Sequence, residues 1–131
     1  MPHFLSPLVA TPHASFHLEN DATGRTIATS LEPAFDSRSR RQGLLKRDQL
    51  DPGVAIVLAP CAAIHTLFMR FPIDVVFVAK DGTVAKICSG VKPWRTAIAF
   101  GAFAAIELAA GGAGHSGTAV GDRLRLTVAR G

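Results

Sequence analysis

The sequence predicts a mostly β (α+β) domain, built as a compact antiparallel β-barrel or sandwich of about eight short strands with one definite short helix. Three observations predict it. Short apolar runs alternate with turn residues along the whole chain, and the 12 Gly and 8 Pro are spread without a visible repeat. Hydrophobic residues make up 48% and charged residues 18%, a balance that supports a packed core and argues against disorder. The 131 residues fit one domain, long enough to bury a core without disulfide or metal staples.

Residues 1–14 hold Pro2, His3, Pro7, Pro12 and His13 and read as a flexible N-terminal segment, leaving 15–131 as the single domain. Residues 15–18 and 26–31 read as two strands of a hairpin, joined by the turn residues Asn20, Asp21 and Gly24. Asp36 is a good N-cap for a helix of two to three turns over 37–45, with Leu44 and Leu45 turned inward and Lys46 and Arg47 at its C-terminal end. Strands follow over 54–58, 64–70 and 73–79. The last is almost continuously apolar, as expected of a strand buried on both faces. Lys80-Asp81-Gly82 is a hairpin turn into a return strand over 83–91. Residues 104–109 read as a strand, and 110–120 as a glycine-rich loop with a brief helical turn. Arg123, Arg125 and Thr127 alternate with Leu124, Leu126 and Val128, one wet face and one core face.

The net charge is +4, but five of the 14 basic residues, Arg38, Arg40, Arg41, Lys46 and Arg47, fall between 38 and 47 with no acid among them. The other nine face ten acidic residues, so the basicity is one local patch. The apolar run 8–10 is too short for a signal peptide, and nothing approaches the roughly 20 apolar residues of a membrane helix. A soluble, cytoplasmic protein is expected, a monomer or homodimer with no membrane partner.

The residues Gly43-Leu44-Leu45, Pro60-Cys61, His65-Thr66, the block from Met69 to Phe77, Asp81-Gly82, Lys92-Pro93-Trp94-Arg95, Glu107-Leu108, Gly111 and Gly121-Asp122 resemble, in this order, the domain-of-unknown-function 192 family. The Met69–Phe77 block with Asp81-Gly82 is the most specific part. Ala109-Ala110 departs from the proline-containing turn usual there. The resemblance implies a compact β-rich fold, and no established substrate, cofactor or catalytic residue.

Five residues carry the candidate site: His65, Arg70, Asp74, Trp94 and Arg95. His65 is the one histidine inside the predicted core sequence. Cys61 with His65 supplies two metal ligands where zinc needs three or four, so no metal and no cofactor are expected. Cys61 and Cys88 have no metal-site spacing and read as thiols. Asp74 interrupts an apolar strand and needs partners, with Arg70 across the Pro72 bend or the backbone amides there as candidates. Trp94 and Arg95 are residue types that anchor interfaces. No phosphate-binding loop, dinucleotide fingerprint or serine-hydrolase elbow occurs. The favoured reading is a non-catalytic module that binds a small ligand or a protein partner on the rim near His65, Arg70 and Trp94-Arg95. A hydrolase or transferase using His65, Asp74 and Cys61 is the alternative. Weak nucleic-acid binding through Arg38, Arg40, Arg41, Lys46 and Arg47 is a third, although no aromatic residue interleaves with those charges.

Overall fold

The computed structural model describes residues 2–11, 14–36 and 47–129. Among them lie, in chain order, α1 (Ser6–Ala10), β1 (Phe16–Asn20), β2 (Thr26–Ala28), β3 (Ser30–Ala34), β4 (Val54–Leu58), β5 (Ala63–His65), β6 (Ile73–Val78), β7 (Val84–Val91), β8 (Thr96–Ile98), β9 (Ala104–Ala109), α2 (Gly112–His115) and β10 (Leu124–Val128). The central layer is a five-stranded sheet in the order β3-β4-β9-β6-β7. A three-stranded sheet, β10-β1-β2, covers one face, and the two-stranded β5-β8 unit covers the other. The sheets do not close on themselves, so of the two closures expected the sandwich is the one formed. Every pairing is antiparallel except β3 with β4.

The apolar runs explain the layering. All six residues of β6 are buried, and five of six in β9, because both strands have a covered face on each side. Val76, Val78, Ile106 and Leu108 point to one core, together with Ala55 and Val57 of β4 and with Leu18 and Leu124 of the outer sheet. Ile73, Val75, Phe77 and Ala105 point to a second core with Ile56 and Leu58, closed by Ile64, Met69, Ala97 and Ala99. The β6–β7 hairpin forms as the turn chemistry requires. The Asp81 carboxylate accepts from the Thr83 amide at 2.9 Å, and Gly82 has φ of +91° with its Cα packed against the Leu124 carbonyl, where no side chain fits.

Several elements differ from the sequence expectation. The N-terminal segment read as flexible contains α1, whose Leu8 joins Leu5 in the first core, and the Phe4 amide donates to the Lys80 carbonyl at 2.8 Å. Leu5 and Leu8, spaced three apart, anchor it together with Phe4, which packs against the same core. The strand expected over 64–70 ends at His65, because the chain turns at Thr66 and Phe68 takes a left-handed φ of 65°. The strand expected over 26–31 is divided into β2 and the start of β3, and β8 was not anticipated. Val128 is exposed rather than core-facing. The helix expected over 37–45 lies outside the described residues.

Candidate binding site

The β5-β8 unit builds the site. In its register Ala63 pairs with Ile98, Ile64 with Ala97, and His65 with Thr96. Ile64 and Ala97 point into the second core, which leaves Ala63, His65, Thr96 and Ile98 on the outer face. Beyond this ladder two loops run together, and Thr66 joins them. Thr66 is fully buried. Its hydroxyl donates to the Lys92 carbonyl at 2.6 Å and accepts from the Arg95 amide at 2.8 Å. Its main chain exchanges bonds with the same loop: the Thr66 amide donates to the Arg95 carbonyl at 2.8 Å, and the Trp94 amide to the Thr66 carbonyl at 2.9 Å.

This clamp holds two bulky residues in a conformation that side chains disfavour. Phe68 and Trp94 are the only non-glycine residues with positive φ among those described, at 65° and 66°. Such backbone costs on the order of 1–3 kcal/mol per residue and persists where the surroundings enforce it. Both rings stand clear of the surface, Phe68 67% and Trp94 56% exposed, and they meet edge to face with centroids 4.6 Å apart. Leu67 is exposed beside them. His65, Lys92 and Arg95 are exposed on the same two loops. Replacing Thr66 by valine keeps the shape but removes every hydrogen bond of the hydroxyl. We expect a loss of about 1–2 kcal/mol in urea unfolding, with greater mobility of Trp94 in fluorescence anisotropy. Unchanged anisotropy would show that the hydroxyl does not hold the loop.

The sequence candidates thus divide. His65, Trp94 and Arg95 come together around Thr66. Arg70 does not reach Asp74; its guanidinium donates to Asp48 at 2.8 Å in an exposed ion pair. Asp74 is fully buried and faces the first core, because its neighbours Ile73 and Val75 face the second. One carboxylate oxygen accepts from the Gly90 amide at 2.8 Å and the other from the Ala113 amide at 3.0 Å. The donors come from β7 and α2, not from the bend around Pro72. His65 Nδ1 accepts from the Leu67 amide at 3.3 Å, and the Cys61 thiol donates to the Ala63 carbonyl at 3.1 Å. His65 and Cys61 therefore lie on the second-core side of the central sheet and Asp74 on the first. Cys61 and Cys88 are both thiols. Of the basic segment only Arg47 is described, paired with Glu32; Arg38, Arg40, Arg41 and Lys46 lie outside the described residues.

Three features escaped the sequence reading. Phe68 gave no signal of its own, since φ is not legible in a phenylalanine, and Thr66 entered only through the family resemblance, with no role attached. Glu107 did carry one, a lone carboxyl in the apolar run of β9. It is 7% exposed, sits between Ile56 of β4 and Val75 of β6, and burial raises its pKa to about 7. The third is a partly open cavity of about 410 Å³ at the mouth of β2, β4 and β9, lined among others by Ile27, Pro52, Val54, Leu108, Ala110 and His115. Helix α2 forms one wall, and Asp74 pins that helix to the sheet.

Comparison with known proteins places this architecture. The chain is similar to a crystallised protein from Sinorhizobium meliloti designated a candidate transcription regulator, with 27% identity and a TM-score of 0.74, covering 86% of this chain and 92% of that one. It shares its fold with a protein of unknown function from Novosphingobium aromaticivorans, at 22% identity and a TM-score of 0.73, covering 85% of this chain and 83% of the other. No curated protein matches. The model of the DUF192 family, described as uncharacterized ACR, matches residues 18–126, which is most of the chain, so this protein belongs to the DUF192 family.

Proposed function

We propose that the protein is a non-catalytic binding module that engages its partner through the rim formed by His65, Leu67, Phe68, Trp94 and Arg95. The observation that carries this reading is the pair of exposed aromatic side chains held on left-handed backbone by the buried Thr66. Folding alone gains little from exposing Phe68 and Trp94 on strained backbone, and such strain gathers at ligand-contacting positions. Trp and Arg are also the residue types that dominate binding energy at interfaces. The hydrolase or transferase alternative lacks an assembled set, since Asp74 spends both oxygens on backbone amides. The test compares wild type with Trp94→Ala/Arg95→Ala as bait in native extract, with proteins and small molecules both identified. The substituted side chains are exposed, so circular dichroism and unfolding midpoint should match wild type. The specific partner should be lost from the variant, and equal recovery by both baits would reject the rim.

Nucleic-acid binding through the 38–47 segment is a second reading, favoured by the charge run Arg38, Arg40, Arg41, Lys46 and Arg47 and by the regulatory designation of the Sinorhizobium meliloti protein. It requires retention on double-stranded DNA or on RNA at low salt that falls steeply as salt rises. Passage through both columns at low salt would remove it.

A further inference from the structure

Resting on the rim as the binding face, we propose that its occupant is an anionic membrane surface, into which Leu67, Phe68 and Trp94 insert shallowly. Shape, charge and ring geometry each point there. The three apolar side chains sit at the tips of two adjoining loops, and exposures of 67% for Phe68 and 56% for Trp94 make them projections rather than the lining of a depression. A bilayer interface accepts such projections without a complementary pocket, and Trp is favoured at that depth.

The charged residues on the two loops are of one sign. Lys92 and Arg95 flank Trp94, Arg70 follows Met69, and Lys86 lies behind, donating to the Ile98 carbonyl at 2.7 Å. Residues 52–73 and 82–106, which contain both loops and the β5-β8 unit, include no acidic residue at all. Asp48 also comes to this side, where it is bonded to Arg70, and Glu32 of the same sheet face is paired with Arg47. A cationic collar behind apolar tips complements anionic headgroups above an acyl layer.

The ring geometry argues against single-stranded nucleic acid, the other partner that combines phosphates with aromatic contacts. Stacking of bases needs open, parallel ring faces. Phe68 and Trp94 meet at 62°, so the edge of one ring occupies the face of the other and the pair forms a wedge. The absence of a membrane-crossing helix among the described residues has no bearing on surface attachment.

Trp94 is the only tryptophan, so its emission reports on the rim alone. The full chain is titrated with three probes: phosphatidylcholine vesicles, vesicles of phosphatidylcholine mixed with phosphatidylglycerol, and oligothymidylate. The anionic vesicles should shift Trp94 emission to the blue, and lipids brominated on the acyl chain should quench it. Neutral vesicles should bind much more weakly, and the oligonucleotide should leave the emission unchanged. Lys92→Glu/Arg95→Glu should weaken partitioning at least about tenfold, given roughly 1 kcal/mol per basic residue near such a surface. Leu67→Ser/Phe68→Ser should lose the blue shift while Trp94 still reports. No shift and no co-sedimentation with anionic vesicles would overturn the proposal. A shift with oligothymidylate alone would overturn it too, while leaving the rim as the binding face. Co-sedimentation with unaltered Trp94 emission would place the contact elsewhere and reject both.

Discussion

Glu107→Gln should stabilise the protein by about 3 kcal/mol at pH 8 and leave it unchanged at pH 4. The carboxyl sits on β9 with Ala105 and Ala109 along its own strand face and Ile56 and Val75 across the sheet, all apolar. Desolvation alone raises its pKa from 4.5 to about 7. Below pH 4.5 the group is protonated folded or unfolded and costs nothing. Between 4.5 and 7 the unfolded chain gives up its proton while the folded one keeps it, so stability falls as pH rises, and above 7 the full penalty applies. Glutamine has the same shape and no charge, so the slope should vanish over that window. Urea titrations at intervals from pH 4 to 8 would read this directly. A wild-type curve that is flat between pH 5 and 7, or a glutamine variant that keeps the slope, would show that Glu107 is not the buried acid responsible.

Much of the architecture was legible because it rests on apolar period and turn chemistry. The β6–β7 hairpin, the doubly buried β6, the strand β9 and the turn α2 all follow from runs bounded by Gly, Pro or Asp. The extents of other elements were not legible, for physical reasons. The strand expected through Arg70 stops at His65 because a side-chain hydroxyl, Thr66, forms bonds to a loop almost thirty residues away, which no local window contains. The N-terminal helix forms because Leu5 and Leu8 find the first core, a tertiary gain acting on a short, proline-bearing segment. Among the site residues, Trp94, Arg95 and His65 were marked by residue type and by lying in loops. Phe68 was hidden, since its role depends on a left-handed φ that glycine would advertise and phenylalanine does not. Of the two kinds of partner expected for Asp74, backbone amides are the ones found, though from β7 and α2; Arg70 is not, because the alternation of β6 turns Asp74 to the other face of the sheet.

Asp74→Ala should cost about 2–5 kcal/mol, and Asp74→Asn nearly as much. The carboxylate accepts from two amides, Gly90 on one oxygen and Ala113 on the other. Alanine leaves both donors without a partner, and the bond to Ala113 lies in a buried environment where water does not replace it. Asparagine appears conservative, but it offers one acceptor oxygen and one NH2. Whichever way its amide is turned, the NH2 meets a backbone N–H, so one donor stays unpaired and a second donor is pressed against it. An acid that merely fills space beside one amide would tolerate asparagine; an acid that bridges two would not. The consequence extends to the cavity beyond, because Ala113 belongs to α2, the wall that Asp74 pins to β6 and β7. Hydrogen exchange at Ala113 and Gly90 should therefore accelerate in both variants more than exchange in β4 or β9. The urea midpoint and these two amides together decide the matter. An asparagine variant as stable as wild type, with protected Ala113 and Gly90 amides, would mean that Asp74 is not the structural tie between the sheet and α2.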